Sequence, residues 1–185
     1  QNITLASPIQ TGPLGAGGIT KFQAGDLTIT GVNTYTGATR ASQGKIILTG
    51  GDNRLSFSTL FQVGQGANAG VIQLGDATGR SDQTVSGLQS IGTATTNAII
   101  GGHTSNSTLT VNNTTLSTFS GLLGGSGVNE NNINLNKSGG GTLNLTSNAN
   151  TFTGDVTING GNLGIVSASS LGTVTKTITI SGATN

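Results

Sequence analysis

Residues 137–145 read KSGGGTLNL and residues 150–154 read NTFTG, and this stretch decides the fold. Leu143 and Leu145 alternate with polar residues, as in a half-buried β-strand, and a glycine-rich turn precedes them. The pattern occurs earlier as KFQAGDLTI at residues 21–29 and NTYTG at residues 33–37. The offset is 116 residues for the first block (137 − 21) and 117 for the second (150 − 33). A module that contains several short strands is therefore present twice.

The two copies share a lysine, glycines, a pair of alternating apolar residues, an asparagine and an aromatic residue. These are Lys21, Gly25, Leu27, Ile29, Asn33, Tyr35 and Gly37 in the first copy, and Lys137, Gly141, Leu143, Leu145, Asn150, Phe152 and Gly154 in the second. The copies extend approximately over residues 15–55 and 121–171, and a strand-rich stretch over residues 56–120 joins them. Because the positions repeat as a set, we expect structural roles for them within one continuous domain, residues 1–185.

Short strands are predicted along the rest of the chain. Their apolar pairs are Ile3/Leu5, Ile46/Leu48, Ile72/Leu74, Leu109/Val111, Ile133/Leu135, Val156/Ile158, Leu163/Ile165 and Ile178/Ile180. Short strands, Gly/Asn turns, little charge and internal repetition predict an all-β fold, a single-stranded parallel β-helix. With roughly 20 residues per coil, the chain would make about nine coils and a rod of ~45 Å. The alternative is an antiparallel sandwich, because Asn159-Gly160 between two strands is a good hairpin signal.

The composition excludes several classes of protein. The chain has 185 residues with 32 Gly, 7% charged residues, a formal net charge of +1 and no Cys. Neither collagen, coiled-coil nor transmembrane-helix patterns are present, and the recurrent alternation argues against disorder. Seven scattered Lys and Arg residues and six aromatic residues argue against nucleic-acid binding. The absence of Cys excludes disulfide frameworks and thiolate metal sites.

Charged residues that could form a catalytic site are few. Enzymes that act on polysaccharides need paired carboxylates, or a carboxylate with a basic partner. Asp76, Arg80 and Asp82 lie close together in the sequence, as do Asp52 and Arg54, but such residues are more often solvated turn positions. His103 is the one histidine, which excludes a two-histidine zinc site. We therefore predict no catalytic, cofactor-binding or metal-binding residue, and no cofactor.

Two glycine-rich stretches are similar to ligand-binding loops. Residues 64–69 nearly match a dinucleotide fingerprint, but a strand rather than a helix is predicted to follow. Residues 124–129 resemble a calcium-binding nonapeptide that occurs once and has Asn131 where an apolar residue belongs. We expect turns at both places.

The second copy resembles the autotransporter-associated β-strand repeat. The residues that carry this resemblance are the Phe119-Ser120-Gly121 run, the glycine-rich lysine block at 135–145, and the NTFTG block with Gly161 and Leu163. The resemblance covers about half of the chain, and the first copy matches more loosely, with Asp26 in place of Thr142. It implies a right-handed parallel β-helix that serves as the stalk of a bacterial surface or secreted protein, and it implies no enzymatic activity.

We expect a non-enzymatic structural protein at the bacterial cell surface. No capping helix is predicted at either end, so the solenoid would continue into further repeats of the same chain or stack end to end with another copy. An adhesin that binds a glycan or a surface is the alternative function, and a polysaccharide-acting enzyme is a third. We expect no nucleic-acid partner, and we do not expect this segment to be embedded in a membrane.

Overall fold

The computed structural model describes residues 2–10, 12 and 16–181, and it shows a parallel β-solenoid of about seven turns. All pairings between its strands are parallel. This confirms the predicted β-helix. The sandwich interpretation is wrong, because the strands on the two sides of Asn159-Gly160 belong to different sheets.

Eighteen short strands and one 3-10 turn make up the described part of the chain. They are β1 (Ile3–Leu5), β2 (Ile19–Lys21), β3 (Asp26–Ile29), β4 (Thr39–Ala41), β5 (Gly44–Leu48), β6 (Leu60–Val63), β7 (Gly70–Leu74), β8 (Gln83–Val85), β9 (Gly87–Ser90), β10 (Ala98–Gly101), β11 (Ser107–Asn112), β12 (Ser117–Phe119), β13 (Leu122–Leu123), β14 (Ile133–Ser138), β15 (Thr142–Leu145), β16 (Val156–Ile158), β17 (Asn162–Ile165), the 3-10 turn (Ala168–Leu171) and β18 (Ile178–Ile180).

The strands stack into three faces along the solenoid. Sheet A has the order β1-β3-β5-β7-β10-β13, and sheet C has the order β8-β11-β14-β16-β18. Sheet B consists of β2-β4-β6-β9 followed by β12-β15-β17. Between β9 and β12 the link is made by a serine side chain instead of by backbone hydrogen bonds of a β-ladder. Ser117 Oγ accepts from Leu88 N (2.9 Å) and donates to Leu88 O (2.7 Å).

The core consists of rows of apolar side chains that repeat from coil to coil. In sheet A one row joins the register positions Ile3, Leu27, Ile46, Ile72, Ile99 and Leu123. The last four of these side chains are fully buried. Alternate residues of each strand point inward because successive side chains of a strand lie on opposite faces. The apolar residues that alternate with polar ones in the sequence therefore form the interior of the solenoid.

Most coils are longer than the predicted 20 residues, and the solenoid has about seven turns, so the prediction of about nine coils is wrong. Along the sheet A row the successive spacings are 24, 19, 26, 27 and 24 residues (27 − 3, 46 − 27, 72 − 46, 99 − 72 and 123 − 99). The spacing of 20 between Leu143 and Leu163 belongs to a short coil. Longer coils carry extra turns, at Gln65–Asn68 and Asp76–Gly79, each closed by a reciprocal pair of backbone hydrogen bonds.

The two repeat copies lie on different faces of the solenoid. In the first copy β2 and β4 are in sheet B, whereas their counterparts β14 and β16 are in sheet C. Similarly, β3 and β5 are in sheet A and their counterparts β15 and β17 are in sheet B. The offset between the copies is therefore not a whole number of coils. The same internal contacts recur, but the outward side chains of the two copies face in different directions.

Candidate functional site

A buried lysine in each copy holds a turn of its own coil and the next coil together. Lys21 Nζ donates to the carbonyls of Phe22, Gln23 (2.7 Å) and Gln43 (3.1 Å). Lys137 Nζ donates to the carbonyls of Ser138, Gly139 (2.9 Å) and Gly160 (3.1 Å), which occupy the same positions in the second copy. Burial lowers the pKa of both ammonium groups, with Asp26 opposing the effect at Lys21. Each lysine is thus a cationic cross-link between backbone segments.

A glycine in a left-handed conformation closes each lysine cage. Gly44 (φ 73°) and Gly161 (φ 63°) directly follow the carbonyl of the next coil that the lysine binds. A Cβ on Gly44 would lie 2.5 Å from Gly25 O and 2.7 Å from Lys21 Nζ, and a Cβ on Gly161 would collide with Gly141 O. Both the backbone conformation and the space exclude a side chain.

The repeated asparagines bridge three consecutive coils. Asn33 Oδ1 accepts from Ile9 N of the preceding coil (2.7 Å), and its Nδ2 donates to Arg54 O of the following coil (2.9 Å). Asn150 Oδ1 accepts from Leu123 N (2.9 Å), and its Nδ2 donates to Ser170 O (2.7 Å). Both side chains are buried. A buried amide that satisfies backbone groups on both sides fixes the spacing of the coils.

The repeated aromatic residues fill the corner of the core. Tyr35 and Phe152 are fully buried, and the Tyr35 hydroxyl bonds to Thr39 Oγ1 at 2.6 Å. The position equivalent to Thr39 in the second copy is Val156 (39 + 117), which is also buried. The hydrogen-bonded pair Tyr35/Thr39 in the first copy thus corresponds to the apolar pair Phe152/Val156 in the second. The Tyr35 and Thr39 hydroxyls are therefore not left buried without a hydrogen-bond partner. Burial raises the pKa of Tyr35 to about 12, although the bond to Thr39 acts in the opposite direction.

The remaining repeat positions also contact neighbouring coils. Lys45 N donates to Gly25 O (3.2 Å) and Asn162 N donates to Gly141 O (3.1 Å). Gly37 N donates to Gly17 O (2.8 Å), and Gly154 N donates to Ile133 O (3.1 Å). The apolar pairs lie in the core or pack against it: Ile29, Leu143 and Leu145 are buried, and Leu27 is partly buried.

The carboxylates considered for catalysis hold backbone groups of neighbouring coils. Asp52 Oδ1 accepts from Asp82 N (2.9 Å), and Asp82 Oδ1 accepts in turn from Thr108 N (2.7 Å). Arg80 forms an exposed ion pair with Asp82. Arg54 Nη1 donates to Thr30 O (3.0 Å). These contacts give each group a structural role at the corners of the coils.

Asp76 lies in the turn after β7. Its Oδ1 accepts from the backbone N (2.8 Å) and the hydroxyl (2.5 Å) of Thr78. Burial alone would raise the pKa of Asp76, but hydrogen bonds that include those from Thr78 and the Gly79 backbone outweigh burial and lower it. A carboxyl with a lowered pKa stays ionised at neutral pH and is poorly suited to general acid catalysis.

The histidine and the glycine-rich stretches lie in turns. His103 Nδ1 accepts from Ser105 N (3.0 Å) in the bend after β10. Residues 64–69 connect β6 to β7 without a helix, and residues 124–129 lie in the irregular loop after β13. Within the described ranges no three His, Asp or Glu residues lie close enough together to hold a metal ion.

An uncharged groove lies across the outer corners of four consecutive coils. It has two lobes of about 660 and 540 Å³, and Phe57 and Asn112 line both. Phe57 projects from the corner between β5 and β6, and Leu116 projects from the corner between β11 and β12. The coil between them contributes Ser86, Gly87, Leu88 and Gln89, and at the corner itself Ser86 has a small side chain and Gly87 has none. The sequence reasoning missed this groove, and its one local signal is an aromatic residue between two serines at 56–58.

Comparison with known families matches the two repeat copies, and the larger lobe of the groove lies outside the matched segments. A family model for the passenger-associated-transport-repeat matches residues 19–48 and 135–165. Both segments lie inside the two copies, and they comprise 61 of the 185 residues (30 + 31). Searches of curated proteins and of solved structures found no match. The resemblance to autotransporter repeats is therefore confirmed at these two segments, in a chain that is a β-solenoid.

No helix in the described ranges has the length and hydrophobicity that crossing a bilayer would require.

Proposed function

We propose that this chain is a non-enzymatic structural segment of an autotransporter-type passenger, exposed at the bacterial surface. One observation carries the proposal: the residues that the two copies share are used for contacts between coils or for the core. The lysine cages and the asparagine bridges are the clearest case, because they repeat atom for atom on two different faces. Such a repeat specifies a rod and leaves its outer surface free to vary.

The coil at β18 supports a rod that continues beyond it. Ile178 and Ile180 are in register with Val156 and Ile158 of the core row. Val156 is fully buried, whereas Ile178 and Ile180 are 49% and 69% exposed. Covering an isoleucine side chain completely contributes roughly 1.5–3 kcal/mol. Another coil, from the same chain or from a second copy, would therefore bind favourably over β18.

Sedimentation velocity of the purified chain tests the exposed coil. If copies stack through β18, the double variant Ile178→Lys/Ile180→Lys abolishes the association. Val128→Lys serves as the matched control, because Val128 is 89% exposed in the loop after β13 rather than on an edge strand. If the chain is monomeric, the proposal requires further coils, and the protein from its native source must then exceed 18.2 kDa. A monomeric chain whose native mass is 18.2 kDa contradicts the proposal.

Protease treatment of intact source cells tests the location. We expect an antibody against this chain to detect it in the medium or on cells, and we expect external proteinase K to remove the cell-bound fraction. A cytoplasmic protein that resists the protease is the control for cell integrity. Antigen that is protected until the cells are lysed contradicts a surface location.

The adhesin alternative requires a ligand site on the outer surface, and the groove at Phe57 is the feature that favours it. The enzyme alternative has weaker support, because the Asp52 and Asp82 carboxylates already hold backbone N–H groups.

A further inference from the structure

We propose that the groove at Phe57 binds a neutral oligosaccharide chain. The groove does not follow from the repeats, because the residues around its larger lobe lie outside both matched repeat segments. The smaller lobe also borders on Val32, Asn33 and Thr34 of the first segment. A stalk without a ligand and a stalk that binds a glycan are both compatible with the repeats.

The shape of the groove follows from the stacking of coils. Phe57 and Leu116 form the two walls of its larger lobe, and they lie two coils apart, which corresponds to roughly 10 Å at the usual strand spacing. On the coil between them β8 and β9 are separated by Ser86 alone, so the corner is tight. Gly87 lines the groove, and a Cβ there would lie 3.0 Å from Leu60 Cδ1. Because Gly87 has no side chain, the bottom of the groove stays open between the apolar side chains of Phe57 and Leu116.

The lining of the groove selects an uncharged ligand. Among the residues that the structure describes, those around the two lobes include no Asp, Glu, Lys, Arg or His. A nucleic acid or an anionic sugar would need basic side chains to bind its charges. The polar side chains here are hydroxyls and amides, which pair well with sugar hydroxyl groups because they both donate and accept.

Several polar groups of the groove are not used by the solenoid. On the outer face of sheet C, Asn136 donates to Thr110 (3.4 Å) and accepts from Asn159 (2.9 Å), so these side chains satisfy one another. By contrast, the side chains of Asn112 and Thr118 are exposed and make no hydrogen bond within the described part of the chain. They remain available for a ligand.

Phe57 supplies an apolar surface at the centre of the groove. Its side chain is 68% exposed and lines both lobes, so a ligand that lies along the groove must cross its ring. The C–H face of a pyranose can cover an aromatic ring while its hydroxyls reach the polar edges. Lobes of about 660 and 540 Å³ are within the usual range for ligand sites.

NMR titration of the ¹⁵N-labelled chain tests the proposal. The probes are neutral hexasaccharides of five kinds: cello-, malto-, xylo-, manno- and chito-oligosaccharides. We expect at least one of them to shift the amide signals of residues around Phe57, Ser86 and Asn112. Phe57→Ala should weaken that binding about tenfold or more, and Asn112→Ala should weaken it as well. The control is Phe22→Ala, because Phe22 is 60% exposed outside the groove.

The outcomes separate this proposal from the stalk function. Shifts at the groove that survive Phe22→Ala and are lost in Phe57→Ala support it. The proposal is overturned if no hexasaccharide at 10 mM shifts the groove signals, if the shifts lie elsewhere, or if Phe57→Ala binds as the unaltered chain does. An unchanged spectrum of each free variant shows that the fold persists. None of these results affects the sedimentation test of the β18 coil.

Discussion

Replacing Lys137 with methionine measures what the lysine cage contributes to the stability of the solenoid. Methionine is similar in length and fills the space, but it cannot donate to the carbonyls of Ser138, Gly139 and Gly160. An unpaired buried acceptor costs about 1–3 kcal/mol. These three hydrogen bonds are part-buried, so the three carbonyls together cost about 3–6 kcal/mol. Removing a desolvated ammonium and burying a thioether returns about 1–3 kcal/mol. We expect a net loss of about 3 kcal/mol.

Urea unfolding followed by far-ultraviolet circular dichroism measures this loss. Repeat proteins can unfold in parts, so hydrogen exchange of the peptides over residues 135–165 should accompany it. Lys45→Met is the matched control, because Lys45 is half-buried and its Nζ donates to the side chain of Gln73 at 3.0 Å. We expect this control to cost about 0.5 kcal/mol or less. If Lys137→Met is as stable as the unaltered chain, or more stable, the cage does not hold the coils together.

Three further predictions concern single groups. Tyr35 is the one tyrosine of a chain without tryptophan, so phenolate absorbance should titrate near pH 12 in the folded chain and near pH 10 in urea. Its stabilising contribution is then present below pH 10 and is lost between pH 10 and 12, and a folded midpoint near 10 would mean that the ring is not buried. Gly161→Ala should cost at least about 2 kcal/mol in urea unfolding, whereas Gly140→Ala, with open space at its Cβ, should cost less than about 0.5 kcal/mol; equal losses would refute the steric argument. Burial lowers the pKa of Lys176 to about 8, with Asp155 opposing, so the unfolded chain binds more protons between pH 8 and 10.5 and the last coil should become more stable as the pH rises across that window. An NMR titration of its Cε signal with a midpoint near 10.5 would contradict this.

Much of the fold could be predicted because its strands carry a period-two pattern. The ten strands with two alternating aliphatic residues were all predicted, from β1 to β18. The eight others lack that pattern for physical reasons. In β8, for example, the inward Gln83 is buried and its amide bonds to Ser81 Oγ (2.8 Å). A polar residue whose hydrogen bonds are satisfied inside the core cannot be distinguished from a loop residue by hydropathy.

Neither the number of coils nor the hydrogen-bond partners of the repeat residues could be read from the sequence. Turns such as Gln65–Asn68 lengthen a coil without changing its strands, so the predicted coil length was too short. Repetition predicts structural roles for Lys21 and Lys137, but the carbonyls that they bind belong partly to the next coil and depend on the register. The groove could not be predicted, because Phe57 and Leu116 are 59 residues apart (116 − 57) and come to line one groove only through the stacking of coils.

The native size and shape of the protein from its source organism test the central claim most directly. The claim is that the repeats build a rod that extends beyond the coils described here. Sedimentation velocity of the antigen, released without denaturation, should show an elongated particle with a mass well above 18.2 kDa, whether by covalent continuation or by stacking. A compact monomer of 18.2 kDa would contradict the account.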